Sequence, residues 1–247
     1  MDKTSLYSTL IGGGFVLAGT ILTSIINYIG NTYDDFKKEC TVILSISNEL
    51  NELKNAYYTS MNNLYNTLCE NEYLNTYYTI TQDFTTIYNN NAHNICYIND
   101  ENLRSLIIKT YINLKQYIEE LCFYRESLND FLLHRKGFLS MLTPHLYIEN
   151  CSSADLEYQI RHIITLFNNG NLKNNVDSPI DLARVKVFLD SDRKEVEELV
   201  LSSKYLKKLF YTLVDNIDKI ITLSNKYNNL KLPSILQQVG IRCLKLI

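Results

Sequence analysis

Apolar residues fill one uncharged stretch near the start of the chain. Residues 4–33 contain no Asp, Glu, Lys, Arg or His, and their centre, residues 10–29, reads LIGGGFVLAGTILTSIINYI. A helix of this length spans about 30 Å, which matches the hydrocarbon core of a bilayer. The pattern therefore predicts a transmembrane helix.

A cleaved signal peptide and a buried helix of a soluble protein are the two alternatives. A signal peptide has a basic segment, a shorter apolar stretch and an A-x-A-like cleavage site. Here Lys3 is the only basic residue close by, and no A-x-A follows. The amphipathic remainder of the chain could hardly surround so long an apolar helix. Length favours the membrane span, although its Ser and Thr residues leave the buried helix open as an alternative.

The polar residues of this segment share one helical face. Their spacing of about three, four and seven places them in a stripe formed by Gly13, Thr20, Thr23, Ser24 and Asn27. Small and hydroxyl-bearing side chains let membrane helices approach closely and hydrogen-bond to one another. We therefore predict a membrane-helix packing stripe. The alternatives are hydroxyls bonded to carbonyls of their own helix, and the lining of a water-filled pore.

Beyond this stretch, apolar residues recur at intervals of three and four, as on one face of an α-helix. The first such segment covers residues 36–68, and its spacing continues back into the uncharged stretch. We expect one continuous helix, with Gly30-Asn31 as the only candidate hinge. Two more long helices are predicted at 101–142, capped by Asn99 or Asp100, and at about 192–228, capped by Asp190 or Ser191.

The remaining elements are shorter. They are a helix within 73–91 that frays into a loop at 89–99, a helix from Ser152 or Ser153 to about Asn168, a short helix opened by Pro179, and an amphipathic piece at 233–247. The predicted fold class is all-α, with an N-terminal transmembrane helix that continues into an elongated, antiparallel, coiled-coil-like helical bundle. The predicted domains are a membrane anchor at 1–32 and a helical bundle domain at 33–247.

Charge and cysteine content narrow the function classes. The net charge of −3 does not favour nucleic-acid binding, so no nucleic-acid partner is expected. The six cysteines are widely spread without a C-x-x-C motif, which predicts reduced, core-type thiols. Lysines after the uncharged stretch outnumber Lys3 before it, and the positive-inside rule then favours a cytoplasmic bundle.

The chain contains none of the common catalytic or phosphate-binding motifs. His93 and Cys96 supply two metal ligands where a site needs three or four. Arg125 and Arg135 lie near the apolar face of one long helix, where an arginine usually extends its guanidinium to the bundle edge. We expect no enzyme activity, no cofactor, no metal site and no small-molecule substrate.

These features favour a non-enzymatic, membrane-anchored, single-pass protein that acts as an interaction, scaffold or sensor module. Its expected partners are membrane lipid together with a second copy of the chain or another helical protein. The alternative is a membrane-perturbing effector, such as a pore-forming, toxin-like or phage-defence-like protein, in which the Gly-rich, Ser/Thr-striped helix permeabilises the bilayer. The biological process is not predicted by any motif.

Overall fold

The computed structural model describes residues 3–76, 89, 92–142, 153–169 and 182–228. Within these ranges the chain forms four α-helices and one 3₁₀ helix, and it forms no β-strand. The elements are α1 (Lys3–Thr67), the 3₁₀ helix (Ala92–Tyr97), α2 (Glu101–Leu142), α3 (Ser153–Asn168) and α4 (Leu182–Asn228). The predicted all-α fold class is confirmed.

Helix α1 is 65 residues long and passes through Gly30 and Asn31 without a break. No proline occurs before Pro144, so every backbone N–H of this segment can join the helical ladder. The prediction that the uncharged stretch and the following amphipathic segment form a single helix is confirmed.

The predicted start of α2 is confirmed as well. The Asp100 carboxylate accepts a hydrogen bond from the backbone N–H of Leu103 at 3.1 Å, which is the geometry of an N-cap. Helix α3 begins at Ser153 and ends at Asn168, as the sequence predicts. The stop predicted at Pro144, the helix predicted at Pro179 and the amphipathic piece at 233–247 lie outside the described residues.

The predicted start of the last long helix is wrong. Helix α4 begins at Leu182, so Asp190 and Ser191 lie inside it and do not cap it. The reason is that Val185 and Phe188 extend the buried apolar face towards the N-terminus, where they pack in one cluster with residues of α2 and α3.

Of the helix predicted at 73–91, the structure describes residues 73–76 and Asn89, and only Asn89 is helical. Residues 73–76 are not helical, and residues 77–88, 90 and 91 lie outside the described residues. The 3₁₀ helix occupies part of the predicted loop at 89–99, because Ile95 and Ile98 bury their side chains there.

The chain divides into two compact units, and α1, α2 and α4 each contribute to both. Unit 1 comprises Met1–Ala56, Asp83–Tyr111 and Asp215–Ile247, and unit 2 comprises Tyr57–Gln82 and Ile112–Val214. The predicted domain boundary between residues 32 and 33 stays a prediction.

In unit 1, α4 runs antiparallel to α1, and α2 runs parallel to α1. The Ser47 and Ser224 hydroxyls lie 2.7 Å apart, and later in α1 the Lys54 ammonium donates to Asp218, earlier in α4, at 2.5 Å. By contrast, Glu39 pairs with Asn99, and Glu49, ten residues later in α1, pairs with Tyr111. The predicted antiparallel arrangement therefore holds for α1 and α4 but not for α1 and α2. Two neighbouring helices that run parallel need a long connection, which residues 68–100 provide.

Unit 2 has an aromatic core. The Phe210 ring of α4 lies 5.3 Å from the Tyr65 ring of α1 and 6.1 Å from the Tyr117 ring of α2, measured between centroids. Helix α3 joins a second apolar cluster, which contains a stacked pair of rings, Phe138 and Phe188, whose centroids are 3.6 Å apart. Aromatic contacts between three helices therefore hold this unit together.

Candidate functional site

The first exposed part of α1 is apolar on nearly all sides. Its large side chains are exposed, from 75% at Phe15 to 43% at Ile29; they are Phe15, Val16, Leu17, Ile21, Leu22, Ile25, Ile26, Tyr28 and Ile29. Among the described helices this is the only one long and apolar enough to cross a membrane. The first buried side chain after it is Phe36.

All five predicted stripe residues are exposed on this part of α1. Thr20, Thr23 and Asn27 lie one helical turn apart in succession, with Ser24 beside Thr23, and Gly13 lies two turns before Thr20. A side chain built at Gly13 would meet nothing within 4 Å. The stripe is thus a small and polar face from Thr20 to Asn27, and the exposed Val16 and Leu17 separate it from Gly13.

The stripe hydroxyls bond within their own helix. The Thr20 hydroxyl donates to the Leu17 carbonyl at 2.8 Å, Thr23 donates to Gly19 at 2.9 Å, and Ser24 donates to Thr20 at 2.8 Å. This local arrangement is the one that lets Ser and Thr lie in an apolar environment without a second helix.

Asn27 differs from these hydroxyls. Its side-chain amide has two donors and one acceptor, and among the described residues it makes no hydrogen bond. Asn27 is therefore the stripe residue with the most unused hydrogen-bonding capacity.

Where α1 enters the packed part of unit 1, a buried acid ties it to the segment before α2. The fully buried Glu39 carboxylate accepts from the Asn99 backbone N–H at 2.9 Å and from the Asn99 side-chain amide at 3.1 Å. These bonds satisfy a carboxylate that would otherwise be buried at a large free-energy cost.

A second link joins the start of α2 to the end of α4. The Lys226 ammonium donates to the Asp100 carboxylate at 2.8 Å. This hydrogen bond lowers the pKa of Asp100 and raises the pKa of Lys226. Asp100 thus caps α2 and pairs with α4 through its two oxygens.

Unit 1 contains further buried polar groups. The buried Glu49 carboxylate accepts a short hydrogen bond from the Tyr111 hydroxyl, which links α1 to α2. The side-chain amide nitrogen of Asn216 is buried and has no hydrogen-bond partner among the described residues. These polar groups specify which helix faces meet, because a shift in register would leave Glu49 without its hydroxyl partner.

In unit 2, a buried ion pair joins α2 to α4. Arg135 Nε donates to Asp192 Oδ1 at 2.5 Å, and Arg135 Nη2 donates to Asp192 Oδ2 at 2.9 Å. The Tyr73 hydroxyl lies 3.4 Å from Arg135 Nη1, and the guanidinium lies 4.1 Å from the Phe131 ring centroid. The interpretation of Arg135 as an edge arginine is wrong, because the pair is enclosed.

Tyrosine hydroxyls form the other buried polar contacts of unit 2. The Tyr65 and Tyr117 hydroxyls lie 2.9 Å apart, and burial raises the pKa of both. The Tyr124 hydroxyl donates to the Leu74 carbonyl at 2.7 Å and accepts from Ser203 at 3.2 Å; burial raises its pKa to about 12. Burial thus keeps these phenols protonated at neutral pH, and their hydroxyls both donate and accept hydrogen bonds inside the unit.

A cleft of about 320 Å³ lies between α2 and α4 in unit 2. The carboxylates of Asp130, Glu195 and Glu198 line it together with His134, whose Nδ1 lies 3.0 Å from a Glu195 oxygen. Within the described residues no three His, Cys, Asp or Glu side chains are grouped closely enough to hold a metal ion. The cleft is thus lined by three carboxyl groups, one imidazole and the hydroxyls of Ser127 and Ser202.

The four described cysteines, Cys40, Cys69, Cys96 and Cys122, form no disulfide with one another. Cys69, Cys96 and Cys122 are exposed, so the prediction of core-type cysteines is wrong for these three. In the His93 segment the Cys96 thiol donates to the His93 backbone carbonyl at 2.9 Å. The Cys96 thiol is thus exposed and makes a weak hydrogen bond within its own segment.

Sequence reasoning missed the buried charges of the bundle. Glu39 and Glu49 lie three residues after Phe36 and Ile46, so both fall on the apolar face of α1. An acid on such a face is the signal that could have found them. Asp192 was not recognised in this way, because the last long helix was predicted to start at about residue 192, whereas α4 starts at Leu182.

Comparisons with protein families, curated proteins and solved structures find no match for this chain.

Proposed function

We propose that this chain is a non-enzymatic, single-pass membrane protein whose helical bundle acts as an interaction, scaffold or sensor module. The observation that carries the proposal is the exposed apolar segment of α1 between Phe15 and Ile29. Monomeric soluble proteins rarely expose a contiguous apolar patch of more than a few hundred Å². Burying each such side chain in an apolar environment contributes roughly 1.5–3 kcal/mol, and a bilayer offers that environment on all sides of the helix.

The hydrogen bonds of the stripe support insertion in lipid. Thr20, Thr23 and Ser24 satisfy their hydroxyl donors within α1, so lipid around them leaves no hydroxyl proton unpaired. Among the described residues, Asn27 has no such local partner. Transferring an amide without a hydrogen-bond partner from water into hydrocarbon costs on the order of several kcal/mol. A second membrane helix removes that cost, which supports self-assembly or a helical partner in the membrane.

The exposed thiols support a bundle on the cytoplasmic side. Cys69, Cys96 and Cys122 are free and accessible, a condition that persists in a reducing compartment. In intact cells a membrane-impermeant maleimide should therefore label these thiols only after permeabilisation. Labelling in intact cells would place the bundle outside, and because all three thiols are exposed, an absence of labelling is informative.

Extraction tests the membrane anchor itself. Full-length protein should stay in the membrane pellet at alkaline carbonate pH. Replacing both Ile21 and Leu22 by Arg should release it, because each Arg near the helix centre costs about 2.5–3.5 kcal/mol on insertion scales. The matched control is Thr41→Arg, an exposed position on the same helix beyond the apolar segment. Recovery of wild-type protein in the soluble fraction without detergent would contradict the proposal.

A membrane-perturbing effector is the second candidate function. The exposed polar face from Thr20 to Asn27 favours it, because a pore is lined by polar or small residues on an otherwise apolar helix. Induced expression in bacteria with a membrane-potential dye separates the two functions. Rapid depolarisation that disappears on deletion of residues 4–30 would favour the effector, and an unchanged potential in expressing cells would favour the interaction module.

A further inference from the structure

An exposed tyrosine stands next to the point where α1 leaves its apolar segment. Tyr97 is the last residue of the 3₁₀ helix and is 42% exposed, although its neighbours Ile95 and Ile98 are buried. The two isoleucines therefore pack the short helix onto unit 1 and leave the tyrosine ring facing out. The Lys38 ammonium lies 5.9 Å from the centroid of this ring, within cation–π range.

The position of this pair is held by hydrogen bonds on both sides. Asn99 binds the buried Glu39 carboxylate, the residue that follows Lys38 in α1. The Arg104 guanidinium reaches the Ile98 carbonyl at 3.4 Å. The 3₁₀ helix is thus attached to α1 at one defined level.

That level lies just beyond the uncharged stretch. Tyr33 is its last residue, and Lys38 follows five residues later, about 8 Å along the helix axis. Side chains on a helix lean towards its N-terminus, so the Lys38 side chain points back towards the apolar segment. The headgroup layer on each side of a bilayer is about 5–8 Å thick. If residues 14–33, which form about 30 Å of helix, span the hydrocarbon core, Lys38 and Tyr97 fall at this layer.

We propose that Tyr97 and Lys38 form a contact with the phospholipid headgroup layer and seat unit 1 on the membrane surface. The inference rests on the membrane span proposed above. Tyrosine rings concentrate at this interface because one end is apolar and the other forms hydrogen bonds, and lysine extends its ammonium to the phosphates. Asp35 lies 3.6 Å from the Lys38 ammonium, and Asp34 adds a further negative charge. Because these two carboxylates offset the charge of Lys38, the contact depends on the Tyr97 ring and needs no anionic lipid.

The absence of tryptophan in the chain makes this contact measurable. Tyr97→Trp introduces a unique fluorophore, and reconstitution in phosphatidylcholine nanodiscs with a nitroxide on the headgroup reports its depth. Ile108→Trp is the matched control, because Ile108 is 38% exposed in the same unit and lies further along α2, which runs parallel to α1 away from the apolar segment. Leu22→Trp, read with a nitroxide near the end of the acyl chain, reports the span itself.

We expect the headgroup nitroxide to quench Tyr97→Trp at least about two-fold more than Ile108→Trp, as for an interfacial aromatic residue. Acrylamide from the aqueous phase should quench Tyr97→Trp less than the control. Quenching of Leu22→Trp by the acyl nitroxide, with Tyr97→Trp and Ile108→Trp quenched equally by the headgroup nitroxide, would overturn this inference and leave the membrane span intact. If no lipid nitroxide quenches Leu22→Trp, the proposed span fails, and the headgroup contact fails with it.

Discussion

Arg135 of α2 and Asp192 of α4 form a two-bond ion pair in which the side chains are only 3% and 5% exposed. Removing one partner leaves the other charge buried without compensation, which costs about 3–5 kcal/mol in comparable pairs. We expect Arg135→Met to lower the midpoint of thermal unfolding, followed by circular dichroism in detergent, by on the order of 10 °C.

Two further variants separate the loss of the pair from the loss of packing. The double replacement Arg135→Met with Asp192→Leu should recover most of the stability, because an apolar pair of similar volume is often as stable as a buried ion pair. The exposed pair Arg193–Glu197 is the control, and Arg193→Met should change the midpoint by less than about 2 °C. A small effect of Arg135→Met would show that the pair does not hold α2 and α4 together.

Asp100 stabilises unit 1 in two ways, as the cap of α2 and as the partner of Lys226. Asn can also cap a helix, so Asp100→Asn should remove only the ion pair, whereas Asp100→Ala removes both. We expect the alanine variant to be less stable than the asparagine variant by about 1 kcal/mol. Equal unfolding midpoints for the two variants would rule out the cap as a stabilising contact.

The ion pair predicts a pH dependence as well. Because the pKa of Asp100 is lowered in the folded protein, this carboxylate's contribution to the free energy of unfolding is fully present above its ordinary pKa of 3.8. That contribution is lost as the pH falls through the lowered pKa. Because the pKa of Lys226 is raised in the folded protein, this ammonium's contribution to the free energy of unfolding is fully present below its ordinary pKa of 10.5. That contribution is lost as the pH rises through the raised pKa. The stability difference between wild type and Asp100→Asn should therefore persist between these limits and shrink outside them. The pair is partly exposed, so the difference should stay below about 1 kcal/mol.

The thiol of Cys69 should react slowly for an exposed cysteine. A hydrogen bond with the Glu72 carboxylate raises the pKa of Cys69, which lowers its thiolate fraction at neutral pH. We expect Glu72→Gln to increase the rate of alkylation of Cys69 by iodoacetamide several-fold, measured peptide by peptide with mass spectrometry. Cys122 in the same samples is the internal control, and its rate should not change. An unchanged Cys69 rate would contradict the influence of Glu72.

The packing stripe predicts unequal effects of its residues. Asn27→Leu should weaken detergent-resistant self-association more than Thr20→Val or Ser24→Ala, because those hydroxyls already bond within α1. Hydrogen bonds between membrane helices average about 0.6 kcal/mol and reach roughly 2 kcal/mol. The triple variant that combines Asn27→Leu, Thr20→Val and Ser24→Ala should therefore show the clearest loss of self-association.

Controls for the stripe come from the other faces of the helix. Ile21→Leu and Ile25→Leu keep the apolar character of exposed positions outside the stripe and should leave the oligomer population unchanged. Equal oligomer populations for the triple variant and wild type, measured by cross-linking in detergent, would show that the stripe is not an interface.

Local spacing and composition were enough to predict the all-α class, the single helix through Gly30, the cap at Asp100 and the bounds of α3. These features depend on interactions within a few residues: apolar periodicity, side-chain caps and the distribution of helix breakers. The uncharged stretch of 4–33 was likewise visible as a candidate membrane span, because its length and lack of charge are properties of the chain alone.

Contacts between distant residues decided the rest. The early start of α4 depends on Val185 and Phe188 finding a cluster on other helices, and the burial of Arg135 depends on Asp192 lying opposite it. The parallel pairing of α1 with α2 appears only when Glu39 meets Asn99 and Glu49 meets Tyr111. A repeat of three and four marks which face of a helix is buried, but it carries no information about which helix covers that face or in which direction that helix runs; packing in three dimensions decides both.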